Sequence, residues 1–267
     1  MSPKSEVTYQ DYLQLDRLLD AQRVLSDPPA QDELLFIIVH QCYELWFKQA
    51  LHEIDFLFER LGADDVHQSA RTVHRCCELL RVFDAQLSVL ETMSPPDFSK
   101  FRDGLLPASG FQSWQFREVE FACGSRDERY IQMHEGNEPA QLRLKARLEA
   151  PTLWDAFCGL LQRHGFGIAD ADEQRQAIVR IYTETSHSDL QAVCEELIEF
   201  DERFSLWREH HVRMAERMIG GKPGTGQKLG EKVYGAEGPM GHMGVQYLKT
   251  TLGKRFFPIL WEARSAM

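Results

Sequence analysis

Two histidines, His40 and His211, fall in register with apolar residues at helical spacing, and a histidine turned toward a core needs a partner for its imidazole. For His211 the bland reading is a hydrogen-bonded core histidine, and the sharper one is a ligand to a metal or a haem iron. Its neighbour His210 is rotated about 100° away and should meet more polar surroundings. His40 has Phe36 one turn before it and Glu44 one turn after, so a His40–Glu44 pair at i, i+4 is the plain structural reading there. Neither H-x-x-x-H nor H-E-x-x-H occurs, so the spacing defines no zinc site. Two core-facing histidines on separate helices would, however, suit opposite faces of a flat cofactor, one ligating iron and one reaching over the substrate side.

Arg102, in Phe101-Arg102-Asp103, could fork onto a substrate carboxylate, because guanidinium presents paired donors matched to two oxygens. An ion pair with Asp103 is the commoner fate of such a residue. The following Pro107-Ala108-Ser109-Gly110-Phe111 is a loop whose small residues allow a backbone to approach a ligand closely. Gly224-Thr225-Gly226 follows a helix end and lacks the lysine and the strand-then-helix setting of a phosphate loop, which argues against a nucleotide triphosphate.

The elements that must position these residues are helical. Gln31 to Arg60 carries neither Pro nor Gly, and Phe36, His40, Tyr43, Phe47, Leu51, Ile54 and Phe58 advance in steps of three and four. Ser26-Asp27-Pro28-Pro29 is a fitting entry to that helix. A second pattern runs from Val66 to Leu90 and ends at Ser94-Pro95-Pro96. The third and clearest runs from Leu190 through Trp207, His211 and Met218 until Gly220-Gly221 stops it. Shorter helices are expected near Gln112–Cys123, Pro139–Leu148, Thr152–Gln162, Asp172–Tyr182 and Gly244–Thr251. Alternating strand patterns with hairpin turns are absent, so the expected fold is all-α, a helical bundle in a single domain spanning 1–267. Gly220 to Gly244 is too long for a simple connector.

Composition bounds the partners. Thirty Lys+Arg against 41 Asp+Glu give a net charge of −11, so no global field draws in phosphate backbones and nucleic acid is not an expected partner. No apolar run reaches the roughly 18 residues of a membrane span, and Met1–Gln10 lacks a signal-peptide layout; a soluble cytoplasmic protein with no membrane association is expected. Six cysteines without C-x-x-C spacing sit in apolar segments, so neither disulfides nor a thiolate zinc site is expected.

Leu34-Leu35-Phe36-Ile37-Ile38-Val39-His40-Gln41 with Tyr43-Glu44-Leu45-Trp46-Phe47-Lys48 resembles the distal helix of tryptophan 2,3-dioxygenases. The likeness continues through Tyr9-x-x-Tyr12-Leu13, Leu18-Leu19-x-Ala21-Gln22, Phe101-Arg102-Asp103, Ser109-Gly110-Phe111-Gln112-Ser113, Leu206-Trp207-Arg208-x-x-His211, Gly224-Thr225-Gly226, Tyr247-Leu248 and Phe256-Phe257-Pro258. The resemblance implies a helical enzyme that binds haem b, forms a homotetramer and inserts both atoms of O₂ across the indole C2–C3 bond of L-tryptophan, or of a close indole amino acid, to give N-formylkynurenine. On matching positions it makes His211 the proximal iron ligand and His40 the catalytic distal histidine bonded to the indole N–H. Phe36, Ile37, Ile38 and Val39 come with the same segment as substrate-binding positions, Phe36 packing on the ring. Arg102 would take the substrate carboxylate and Thr225 the ammonium, Phe98 would line the pocket, and Ser109 with Gly110 would form the wall near iron-bound oxygen. Tyr9, Tyr12 and Leu13, in an N-terminal arm over 1–25, would reach a neighbouring subunit's site, and 221–244 would be the active-site loop.

One departure from the family pattern lies in that loop. Where the family continues from Gly-Thr-Gly through Gly-Ser-Ser, this chain has Gln227 to Met243 and no serine pair. The resemblance implies that this segment closes over the amino-acid end of the substrate, so a monooxygenating relative acting on a substituted tryptophan or related aromatic amino acid stands as the second reading. A haem sensor is a third, opposed by the retained amino-acid-binding groups Arg102 and Thr225.

Overall fold

The computed structural model describes residues 6–225 and 244–267. The chain opens with two short helices, α1 (Tyr9–Leu13) and α2 (Leu15–Leu19), then runs into α3 (Gln31–Gly62), α4 (Val66–Leu90) and α5 (Pro95–Arg102). Next come α6 (Trp114–Ala122), α7 (Arg129–Gln132), α8 (Glu138–Glu149), α9 (Leu153–Arg163) and α10 (Ala171–Thr183). α11 (Ser188–Ile219), α12 (Val245–Lys249) and α13 (Pro258–Ala263) complete it. No strand occurs among the described residues, and no helix there is long and apolar enough to cross a membrane.

The three long helices expected from periodicity form the frame: α4 packs along both α3 and α11, and α6 lies against α3. Ile54, Leu57, Phe83, Leu87 and Phe204 from the facing stripes are among the most completely buried side chains. Removing any of them to Ala would cost roughly 2–5 kcal/mol through lost transfer energy and a residual cavity. Asp201, 1% exposed on α11, accepts from the Phe256 and Phe257 amides at 3.0 and 3.3 Å and from Trp261 Nε1 at 2.9 Å, which ties the C-terminal segment to the frame.

The entry to α3 uses a serine oxygen, as the sequence suggests, and adds a buried carboxylate. Ser26 Oγ accepts from the Ala30 amide at 2.8 Å, and the buried Glu33 carboxylate accepts from the Leu25 and Ser26 amides. Ser94-Pro95-Pro96 does more than end α4. Ser94 is the N-cap of α5, with proline at the first helical positions and its Oγ accepting from the Asp97 amide at 3.3 Å. The shorter helices expected from the sequence do not include this one, yet proline has no amide proton to lose at a helix start and its fixed φ favours one. The same rule starts α13 at Pro258.

Candidate active site

The inner faces of α3 and α11 do not meet along their whole length. Between them, closed by α5, the 103–113 segment, α6 and α12, lies a cavity of about 1370 Å³ when the space at its open mouth is included. His40 from α3 and His211 from α11 both line it, with Phe47, Leu87, Phe116, Trp207 and Val212 supplying apolar wall.

His40 is fixed by a backbone contact: its Nδ1 lies 2.7 Å from the Phe36 carbonyl. A carbonyl only accepts, so Nδ1 carries the proton and Nε2 of the neutral ring is left as an acceptor. Burial holds the His40 imidazole below its ordinary 6.5, against the smaller opposing pull of the Phe36 carbonyl and the Glu44 charge. The expected His40–Glu44 pair is replaced: Gln115 Nε2 on α6 donates to the Glu44 carboxylate at 2.8 Å. Phe36 stands behind the imidazole, ring centroids 4.1 Å apart, and packs on Phe98 and Phe101 of α5.

His211 is held by stacking. Its ring lies 5.3 Å from that of Trp207, one turn earlier, with 9° between planes, and it makes no hydrogen bond among the described residues. Trp207 Nε1 donates to Tyr43 Oη at 3.3 Å, and that hydroxyl donates to the Phe83 carbonyl at 2.6 Å, so three helices set the plane of one imidazole. Burial pushes His211 down to about 4, helped by the positive charges of Arg117, His210 and a protonated His40. At neutral pH it presents a free lone pair, the form in which imidazole binds metal. His210 behaves as its helical angle predicts, with Nδ1 2.7 Å from Asp84 and Nε2 3.5 Å from Glu91.

The mouth is stitched from distant segments. Arg102, at the end of α5, donates from Nη2 to the Pro223 carbonyl, and its Nε is buried with no partner; its contact with Asp103 is only 3.9 Å. Thr225 Oγ1 donates to the Ala108 carbonyl at 2.7 Å, beside Ser109 and Gly110. Ser109 Oγ accepts from the Phe111 amide, which leaves its own proton free for the cavity. Gly244, at φ +52°, abuts the other side of this seam: a Cβ there would lie 3.1 Å from Gly224 N and 3.2 Å from Lys222 O.

His40, Phe98, Arg102, Ser109, Gly110, His211 and Thr225 thus meet in one cavity wall, with Phe36 directly behind. Ile37, Ile38 and Val39 do not line it. At 100° per residue only one side of a helix faces a cavity, and Val39 is 5% exposed in the core while Ile38, 42% exposed, faces outward. Tyr9, Tyr12 and Leu13 are exposed on α1 and touch no part of this wall. Gly226 and the departure at Gln227–Met243 lie outside the described residues. Tyr43, Arg117, Glu120 and a stacking role for Trp207 were not singled out from sequence. The stripe positions of Tyr43 and Trp207 were the available signal, and a core reading absorbed them.

Fold and site together define an all-helical protein that presents two histidines of different character to one large apolar cavity with a polar mouth. A family model described as tryptophan 2,3-dioxygenase matches residues 2–153. Curated proteins named tryptophan 2,3-dioxygenase align over nearly the whole chain. One from Nocardioides sp. is 43% identical over 98% of this chain and 96% of its own length. One from Herpetosiphon aurantiacus is 40% identical over 97% and 98%, and one from Xanthomonas campestris pv. campestris 37% over 99% and 89%. The chain belongs to the tryptophan 2,3-dioxygenase family.

Proposed function

We propose that this protein binds haem b and uses O₂ to cleave the indole C2–C3 bond of L-tryptophan, both oxygen atoms entering N-formylkynurenine. The observation that carries the reading is the pairing of an uncommitted, neutral His211 with a tautomer-fixed His40 in one apolar cavity whose mouth holds Arg102 and Thr225. The donor set fits a haem: one neutral imidazole without a protein hydrogen-bond partner among the described residues, on a wall of Trp207, Leu87 and Val212. His211 would hold the iron, and the ferrous haem would supply the site for O₂.

The chain's own residues bind and orient. His40 Nε2 accepts the indole N–H and so fixes the ring by one hydrogen bond. Phe36 buttresses the imidazole. Arg102 turns its fork from the Pro223 carbonyl to the substrate carboxylate, Thr225 holds the ammonium end, and Phe98 fills the side. With water excluded by the apolar wall, the ring and the oxygen meet in a fixed geometry. The exposed Tyr9, Tyr12 and Leu13, together with an exposed α3 stripe of Leu34, Ile38, Leu45 and Phe56, support a homotetramer in which the N-terminal arm reaches a neighbouring subunit.

Product mass spectrometry of the reduced, haem-loaded protein with L-tryptophan under isotopically labelled O₂ tests the reading. Two labelled atoms in a ring-opened product are expected. One labelled atom, or no turnover of tryptophan, overturns it in favour of the monooxygenating reading, for which the missing serine pair speaks.

A further inference from the structure

Arg117 is a buried cation in the cavity wall whose bonding is incomplete. Its side chain is 5% exposed; one terminal nitrogen, Nη1, donates to Glu120 at 2.6 Å. Nε is buried without a partner, and Nη2 makes no hydrogen bond among the described residues. The guanidinium is clamped over the Tyr130 ring at 3.8 Å, with Phe116 at 5.0 Å and Phe111 at 5.6 Å, so it cannot swing out to water.

The one carboxylate that Arg117 bonds is shared. Glu120 also accepts from Arg208 Nη2 at 3.0 Å, and Arg208 spends Nη1 on the Lys254 carbonyl at 3.0 Å. Two guanidinium groups therefore share one carboxylate, all three buried and all three on the cavity. The other acids nearby are engaged elsewhere: Glu118 with Arg143 and Arg147, Glu44 with Gln115, and buried Asp201 with the Phe256 and Phe257 amides and Trp261. Burying guanidinium donors without acceptors is expensive, and a planar guanidinium with free donors matches a carboxylate.

We propose that Arg117, braced by Glu120 and Arg208, is a second carboxylate subsite inside the cavity, separate from Arg102 at its mouth. The inference rests on the haem reading above. A carboxylate there could come from a porphyrin propionate or from the amino-acid substrate, and the structure favours the propionate. Arg102 and Thr225 already stand together for the amino-acid end, whereas Arg117 sits against the rings of Phe111 and Phe116, which line the cavity with Tyr247 as a wall for a flat apolar body. Arg117 and His211 line the same cavity, so the subsite shares its walls with the iron ligand.

The test compares haem with its dimethyl ester, in which both propionates are masked, by titrating haem-free protein and following the Soret band. Wild type should bind haem at least tenfold tighter than the ester. Arg117→Gln should bring that ratio close to one, and Arg117→Lys, which keeps a cation for Glu120, should lie between; circular dichroism confirms that each variant is folded. A second arm measures tryptophan against tryptamine in the haem-loaded variants, and their affinity ratio should stay at the wild-type value. If the tryptophan ratio collapses and the ester ratio holds, the propionate assignment is overturned and the carboxylate is the substrate's. If neither ratio moves, the subsite is overturned and Arg117 is only the counter-ion of Glu120. A wild type that takes up neither porphyrin sinks the haem reading itself, independently of Arg117.

Discussion

His40 and His211 face the same cavity from two long helices, yet they are restrained by opposite means. A hydrogen bond to a carbonyl within its own helix fixes His40, which assigns its proton and aims its remaining nitrogen. A ring stack fixes His211, which sets its plane and leaves both nitrogens uncommitted among the described residues. Hydrogen bonding therefore makes an imidazole a directional acceptor for an organic N–H, while stacking makes it a rigid lone pair for a metal. The residue type is the same, and the second contact decides the use.

Exchanging the roles should fail completely, and the largest effect tests that. His211→Ala should abolish stoichiometric haem in the purified protein, whereas His40→Ala should retain it; a Soret-to-protein ratio decides. His40→Ala should instead lower kcat/KM for tryptophan on the order of 10²-fold, the scale of a lost orienting contact. It should also erase the discrimination between tryptophan and its N1-methyl derivative, which has no indole proton to give. Equal discrimination in variant and wild type would remove His40 from the indole contact.

Arg102→Gln sharpens the comparison from the mouth. Haem content should be normal and KM for tryptophan should rise about 10- to 100-fold, as expected for one charge-assisted hydrogen-bond pair. In the haem-free protein, the two histidine neighbours on α11 should titrate apart by NMR, His211 near 4 and His210 above 6.5, where Asp84 and Glu91 raise it. Between 6.5 and about 4 the unfolded chain holds more protons at position 211 than the folded one. Stability of the haem-free protein should therefore fall as pH drops through that window, by at most about 3 kcal/mol. Binding haem should remove this dependence in a denaturant titration. The smallest effect belongs to Tyr43→Phe, which leaves the Trp207 indole N–H and the Phe83 carbonyl without their shared partner. About 1–2 kcal/mol of stability should be lost, with a shifted iron–histidine Raman band at unchanged haem content.

The long helices were legible because periodicity reports which face is buried, and His40 and His211 were found on those faces. α5 was not, since Ser94-Pro95-Pro96 carries the same residues whether it ends one helix or begins the next, and only the space after α4 decides. Residue types marked Arg102 as a carboxylate fork and 107–111 as a close-approach loop, but only family likeness joined them to Thr225: nothing in the spacing of Arg102, Ala108 and Thr225 announces that Arg102 meets Pro223 and Thr225 meets Ala108. Periodicity was equally blind to Arg117, whose significance lies in a donor without an acceptor rather than in its place on a stripe.

The contact of Gly244 with Lys222 and Gly224 has a consequence for how this protein can vary. Two points of the chain well apart in sequence are held side by side there, and the length of chain joining such points is thermodynamically cheap to change, because each doubling adds only about 0.6 kcal/mol of closure entropy. Residues beyond the seam can multiply or be rewritten while the frame of α3, α4 and α11 keeps its register. For a lineage, and for an engineer, that is a place where chain length can change without refolding the frame.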